Sequence, residues 1–313
     1  MRGRVVGVCV LAGICCALVA VGVGRLGFFG HVADGDPARG TYVQDAGLAD
    51  RAAAAVEELT DGPGAEGAPD AGTRPLGGTV PAEGAAGGSG AGGGWRASEP
   101  LEARTAPTEP AIGALFSPGL DWDGEHHCSG SVVHSPGGDL VVTAAHCVYQ
   151  SGFRTNLAFV PGYRDGAAPY GVWVPTRIEV DPRWVESADP DHDVAFVRVR
   201  RAGQPGLRLE DATGSHPVGF RPELPAPARL VGYPNDAEQP LGCANTAEAA
   251  GPTQLRLDCA DVPNGTSGGP VLSAAGTLIG VIGGRDGGGD EVTSYSSYFG
   301  EDTRALYERA VRD

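Results

Sequence analysis

From Ile112 onward the chain is a succession of short apolar runs cut apart by Gly, Pro, Asn and Asp. The runs read SGSVVHS, DLVVTAAHCV, NLAFV, GVWVPTRIEV, DVAFVRV, ARLVGY, GPVLS and TLIGVIGG. Many short β-rich runs with turn residues between them favour strands over helices. That texture confines the fold to an all-β barrel or sandwich. One helical signature stands at the end: in EDTRALYERAV, Leu306, Tyr307 and Ala310 fall on one face. No internal repeat is evident.

The first third of the chain is different in kind. Arg2 and Arg4 precede an apolar run from Val5 to Gly24, the charge-then-apolar order of an export signal. As a helix this run would span about 30 Å, enough for a bilayer. Gly22 and Gly24 offer small residues for cleavage, so a cleaved signal and an uncleaved anchor both fit. In either case the arginines stay inside and the remainder is exported. LAGIC, Leu11 to Cys15, resembles a lipoprotein signal but has one residue too many before the cysteine. From 31 to 110 the chain is Gly, Ala, Pro and Glu with few large apolar residues, and is expected to be a disordered linker or pro-segment. Within it, LADRAAAAVEEL (Leu48 to Leu59) could form a short helix. The expected organisation is therefore a signal peptide or membrane anchor over 1–30, a linker over 31–110 and one β-rich domain over 111–313.

All 23 basic residues are arginine, and 39 acidic ones outnumber them to give a net charge of −16. That balance excludes nucleic acid as a partner, since phosphate backbones select basic surfaces. Cys9, Cys15 and Cys16 lie in the leader, leaving Cys128, Cys147, Cys243 and Cys259 in the domain. Four cysteines in an exported domain suggest two disulfides, with three possible pairings. There is no CxxC and no His-x-x-x-His, so no metal is expected and no cofactor is called for.

NGTSGGPVL, Asn264 to Leu272, sets Ser267 among glycines with a strand-like run behind it. A serine hydroxyl is a weak nucleophile unless a base takes its proton. Among seven histidines, His146 stands out in VVTAAHCV, where an apolar strand ends in small residues. Ala144 and Ala145 would let neighbouring backbone pack close and leave the imidazole facing a cleft. Cys128 lies 19 positions before Cys147, and a bridge between them would brace the histidine by roughly 3 kcal/mol on a chain-entropy basis. An acid must orient the base. In DPDHDVAFVRV, Asp193 directly precedes an alternating strand, whereas Asp189 and Asp191 flank Pro190 as turn residues. A carboxylate held at a strand mouth could fix the imidazole tautomer and stabilise the imidazolium.

TAAHC, DVAFV and GTSGGP, in that order, resemble the His, Asp and Ser motifs of the trypsin-like (chymotrypsin-fold) serine proteases. The resemblance extends over 111–313 and is strongest to the exported bacterial branch that includes the glutamyl endopeptidases. It implies two six-stranded antiparallel β-barrels with a C-terminal helix and a site between the barrels. His146, Asp193 and Ser267 would be catalytic, and the N–H groups of Gly265 and Ser267 would form the oxyanion hole. Polypeptides would be the substrates and a monomer the working form.

The departures from the family pattern are informative. Thr266 stands where many members carry an aspartate that pairs with a new N-terminal ammonium, and no Ile-Val-Gly-Gly start occurs; the nearest piece is AIGALF, Ala111 to Phe116. An ammonium switch is therefore expected to be absent. Asp261, six residues before Ser267, matches the trypsin pocket-floor aspartate and would select Arg or Lys, although Pro263 replaces a trypsin disulfide cysteine and Asp261 could simply be solvated. Ile282 stands where glutamyl endopeptidases carry a histidine, with Arg285 beyond it as an alternative partner for acidic groups. Gly283 replaces a serine that in many relatives supports the catalytic aspartate. Cys243 is expected to pair with Cys259, tying a loop ahead of the nucleophile. Two other readings are a catalytically silent binding module of the same fold at the cell surface and an esterase. The latter's G-x-S-x-G elbow leads into a helix, whereas a strand follows GTSGG here.

Overall fold

The computed structural model describes residues 31–60, 95–119, 126–204 and 206–312. Its strands and helices, in chain order, are β1 (Val32–Ala33), β2 (Thr41–Val43), α1 (Ala46–Thr60), β3 (Arg104–Thr105), β4 (Ile112–Phe116), β5 (His126–Val133), β6 (Leu140–Thr143), α2 (Ala145–Val148), β7 (Phe153–Arg154), β8 (Ala158–Pro161) and β9 (Trp173–Val180). There follow α3 (Pro182–Ser187), β10 (Ala195–Arg201), α4 (Leu209–Thr213), β11 (Ala226–Gly232), β12 (Leu241–Ala249), β13 (Gln254–Asp258), β14 (Pro270–Ser273), β15 (Leu278–Val281), β16 (Thr293–Ser297) and α5 (Glu301–Ala310).

Two six-stranded antiparallel barrels result. In the first, the order β10-β6-β5-β4-β8-β9 closes because β10 pairs back onto β9. Leu115, Val132, Val141, Phe159 and Val197 fill its interior; each such side chain stabilises by about 1.5–3 kcal/mol when fully removed from water. The second runs β15-β14-β11-β12-β13-β16, with β3 added on β12. Its interior holds Leu230, Leu255, Leu257, Val271 and Ile279. A third apolar cluster spans both barrels and the terminal helix through Phe116, Tyr163, Tyr233, Leu272, Phe299 and Leu306. This shared core fixes the barrels relative to each other, and so fixes any site between them. Leu306 and Ala310 of α5 are buried and Tyr307 packs on Phe196, as the helical face in the sequence implied.

The disorder expected over 31–110 does not hold for 31–60 and 95–110; residues 61–94 and the leader 1–30 lie outside the described residues. β8 meets β9 only at Phe159–Trp173, and β2 continues that edge by pairing Thr41–Val43 with Arg177–Glu179. α1 then buries Ala49, Ala52, Ala53 and Val56 against the barrel. Small side chains gave little hydrophobic signal, yet at helical spacing they let α1 lie close. Glu179 locks the arrangement: its buried carboxylate accepts from Thr41 Oγ1 (2.7 Å), Arg309 Nε (2.7 Å) and Arg177 Nε (2.6 Å). A carboxylate so far from water persists because donors surround it. Downstream, 95–105 runs along the second barrel, with Ala103 N–H donating to Ala260 O (2.8 Å). Among the described residues no helix is long and apolar enough to cross a membrane.

His126, at the start of β5, is buried in an aromatic cage, its ring 5.4 Å from those of Phe116 and Tyr163 and 6.2 Å from Tyr233. Burial disfavours its cation and pushes its pKa down to about 4. The unfolded chain binds this proton near pH 6.5 and the folded chain does not. Stability is therefore complete above about pH 6.5, and falls with pH until the folded group titrates near 4. The loss is about 3 kcal/mol. His126→Phe should flatten the melting temperature between pH 6.5 and 4 relative to the native chain; parallel curves would contradict the assignment.

Candidate active site

β6 ends at Thr143, and the one-turn helix α2 begins where the small Ala144 and Ala145 permit close packing; both are fully buried. His146 thus leaves the barrel at its rim, its side chain 22% exposed. Asp193 arrives from a 3-10 turn, Pro190–His192, with only Val194 between it and β10. Asp189 caps that turn, accepting from Asp191 N (3.1 Å), and Asp191 accepts from Gln254 Nε2 (2.9 Å). Both are turn groups, as their flanking proline implied.

Asp193 is 1% exposed and receives three N–H groups. Oδ2 accepts from His146 Nδ1 (2.7 Å) and Gly284 N (2.8 Å), and Oδ1 accepts from His146 N (2.9 Å). Burial pushes this carboxyl upward, but the charge on His146 and these donors outweigh it and hold the group below the usual carboxylate range. With Nδ1–H committed to Asp193, the lone pair of the neutral ring lies on Nε2. Gly283 offers no hydroxyl, and a Cβ there would lie 2.9 Å from Asp193 Oδ2 and 3.2 Å from Ala144 Cβ. Support comes instead from the next backbone N–H, on Gly284, and from Ser297, whose Oγ accepts from Asp193 N (3.0 Å) and donates to Pro190 O (2.9 Å).

Ser267 sits in the loop 263–269 that feeds β14. Its carbonyl accepts from Ser129 N (2.7 Å) and lies 3.7 Å from Cys147 Sγ, beside His146. No hydrogen bond joins its hydroxyl to His146 among the described residues; such bonds commonly tighten only with substrate bound. Around it the backbone donors alternate. Thr266 N donates to Pro263 O (3.4 Å), Gly268 N to Ile282 O (2.7 Å) and Gly269 N to Thr266 O (2.9 Å). The N–H groups of Gly265 and Ser267 donate to no described residue. Two free amides flanking a serine are what a developing oxyanion requires. Gly265 has φ +96°, and a Cβ there would fall 2.3 Å from Asn235 N, so only glycine fits. Thr266 is buried and satisfies itself locally, Oγ1 donating to Pro263 O (2.7 Å). AIGALF is no inserted terminus: Ile112–Phe116 is a strand inside the first barrel, between β5 and β8.

Both disulfides pair as expected, Cys128–Cys147 tying β5 to α2 and Cys243–Cys259 tying β12 to the segment after β13. Cys128, His146 and Cys147 form the one grouping of metal-ligating atoms among the described residues, but two of its members are a disulfide. Asp261 does not sit at an enclosed pocket floor. It is exposed, at φ +56°, with its N–H on Glu291 O (3.2 Å); a carboxylate there stays solvated and makes no buried charge for a substrate cation. Ile282 is buried, and Arg285 is exposed with its guanidinium 5.6 Å from the Tyr295 ring centre. Sequence reasoning missed Ser129, Gly284, Ser297 and Trp184, whose ring lies 6.4 Å from that of His146. None of these lies in a motif that announces its role.

Residues 128–281 match the family model described as a trypsin-like peptidase domain. Among solved structures, the chain is similar to the protease Anisep from Arthrobacter nicotinovorans at 26% identity and TM-score 0.59, covering 67% of this chain and 100% of that one. It is also similar to the thermostable serine protease AL20 from an extremophilic microorganism, at 25% identity and TM-score 0.56, covering 65% and 97%. A Glu endopeptidase shares the fold at 16% identity and TM-score 0.54, covering 67% and 93%. No curated protein matches the sequence.

Proposed function

Because the chain belongs to the trypsin-like serine proteases of chymotrypsin fold, we propose that it is an exported serine endopeptidase acting through His146, Asp193 and Ser267. The observation that carries this reading is the 2.7 Å bond from His146 Nδ1 to the buried Asp193, which turns the imidazole's free nitrogen into a base at the rim where the Ser267 loop packs. Ser267 Oγ attacks the scissile carbonyl carbon while His146 Nε2 takes its proton, and the carbonyl oxygen becomes an oxyanion between the amides of Gly265 and Ser267. Collapse breaks the C–N bond, and His146 returns the proton to the leaving amine. Water, activated by the same nitrogen, then hydrolyses the acyl-enzyme.

The hole is ready without an N-terminal ammonium. Thr266 carries no charge, and its hydroxyl is occupied within its own loop. Polypeptides are the proposed substrates and the chain acts as a monomer. Two disulfides fit an oxidising, extracellular setting, and export through the leader, cleaved or retained as an anchor, is part of the proposal. Selection of Arg or Lys through Asp261 is left out of it, because that residue is exposed.

A fluorophosphonate probe tests the reading. The native chain should be labelled, and Ser267→Ala should not be. A folded native chain that resists the probe would favour the silent binding module instead. Hydrolysis of a peptide library separates a protease from an esterase.

A further inference from the structure

We propose that Ser129 is a positioning residue for the oxyanion hole: it holds Gly265 and Ser267, the two residues that supply the hole, from the opposite barrel. The inference rests on the serine-protease reading of the site. Ser129 lies on β5 in the first barrel and is completely buried. The loop 263–269 belongs to the second barrel. Two backbone carbonyls of that loop accept from the first barrel among the described residues, and Ser129 is the donor to both. Its Oγ donates to Gly265 O (2.9 Å) and its N donates to Ser267 O (2.7 Å).

The direction of the hydroxyl proton follows from its neighbours. A serine hydroxyl has one hydrogen and two lone pairs. Tyr233 N, at 2.7 Å, can only donate, so Ser129 Oγ accepts there and its single proton goes to Gly265 O. The Ser129 carbonyl is itself held by Thr143 Oγ1 (2.8 Å), three residues before His146. One residue thus links the strand that leads to the base, the end of β11 and both halves of the hole.

The consequence is specific to this loop. Gly265 sits at φ +96°, where glycine has freedom that other residues lack. Without a tether on its carbonyl, Gly265 could shift within the loop, and the N–H on that same residue would lose its aim. Relatives with an aspartate before the serine brace this loop with an ion pair; here Thr266 bonds only within the loop. The Ser129 hydroxyl supplies the brace from outside. Because it touches the loop rather than the substrate, its effect should fall on transition-state stabilisation and leave substrate binding alone.

The test uses the full chain and a peptide substrate drawn from the native cleavage profile. Ser129→Ala should lower kcat about 10- to 100-fold with KM within about threefold. The affinity of a peptide aldehyde, whose adduct carries the oxyanion, should fall by the same factor as kcat/KM. Ser135→Ala removes another buried hydroxyl, one that accepts from Gly138 N (3.0 Å) in the β5–β6 turn; it should lower melting temperature and leave kcat unchanged. If Ser129→Ala does not fold, the isosteric pair Ser129→Thr and Ser129→Val decides. Activity with Thr and a folded but slow Val variant support the proposal; equal activity in both, or failure of both to fold, overturns it. Unchanged kcat and aldehyde affinity in folded Ser129→Ala also overturn it. A native chain unreactive to fluorophosphonate would instead remove the serine-protease reading itself.

Discussion

Asp193→Asn is expected to lower kcat about 10⁴-fold near pH 7 while the protein stays folded and KM changes little. Three N–H groups converge on this side chain, two of them on Oδ2. An asparagine has one acceptor oxygen and one NH₂. If the oxygen takes the Oδ2 position, its NH₂ faces the N–H of His146. If it is turned over, the NH₂ confronts both His146 Nδ1 and Gly284 N. That second arrangement drives the imidazole proton to Nε2, and an Nε2–H ring cannot take a proton from Ser267. The compensating negative charge is lost in both. Activity should return in part at high pH, where hydroxide can replace the missing base. Steady-state kinetics of the folded variant from pH 6 to 10 check this. A loss of less than about tenfold at pH 7 would show that the carboxylate neither orients nor compensates the base.

Removing residues 31–94 is expected to cost the fold. A chain begun at residue 95 keeps every proposed catalytic residue but loses β2 and α1. Val56 is fully buried, Ala49, Ala52 and Ala53 nearly so, and Tyr42 stacks on Phe153 with ring centres 5.6 Å apart. Burial of these side chains contributes on the order of 5 kcal/mol, against a total stability of about 5–15 kcal/mol for a domain. Glu179 also loses the Thr41 hydroxyl, and the β9 edge at Arg177–Glu179 loses its partner. For a domain of this size the melting temperature should fall by about 10–20 °C, or the shortened chain should fail to accumulate in soluble form. A thermal melt by circular dichroism, and soluble yield, measure it. A chain from residue 95 that melts within about 5 °C of the longer one would make 31–60 an appendage.

That segment also marks where sequence reasoning stops. Its composition argued for disorder because a packing face of Ala49, Ala52, Ala53 and Val56 carries little hydrophobic contrast. Only the barrel edge opposite, left open where β8 departs from β9, makes those residues a core. Strands that are apolar runs, such as β6, β8 and β10, were legible in advance. β12 (LGCANTAEA) and β16 (TSYSS) were not, since their residues are small and polar. In β16 the buried Ser296 and Ser297 serve backbone groups, Ser297 receiving the N–H of Asp193. The site shows the same division. The proposed triad of His146, Asp193 and Ser267 stood out because nucleophilic chemistry restricts residue type, while their order matched the family motifs. Gly283 seemed to leave the aspartate without support, yet the neighbouring Gly284 N–H supplies it, and a backbone donor leaves no mark in a sequence. Ser129 was equally silent: a serine beside a cysteine says nothing until a second barrel packs against it. Asp261 showed the converse, an aligned position whose side chain faces solvent.

The most direct measurement is to trap the acyl-enzyme. A slowly deacylating ester is added at mildly acidic pH to the purified chain with residues 31–313 intact, followed by intact mass and peptide mapping. One acyl group per molecule is expected, located on Ser267, formed without any newly cut N-terminus and absent from His146→Ala. Acylation at another residue, equal acylation of His146→Ala, or acylation only after cleavage exposes a new terminus would contradict it.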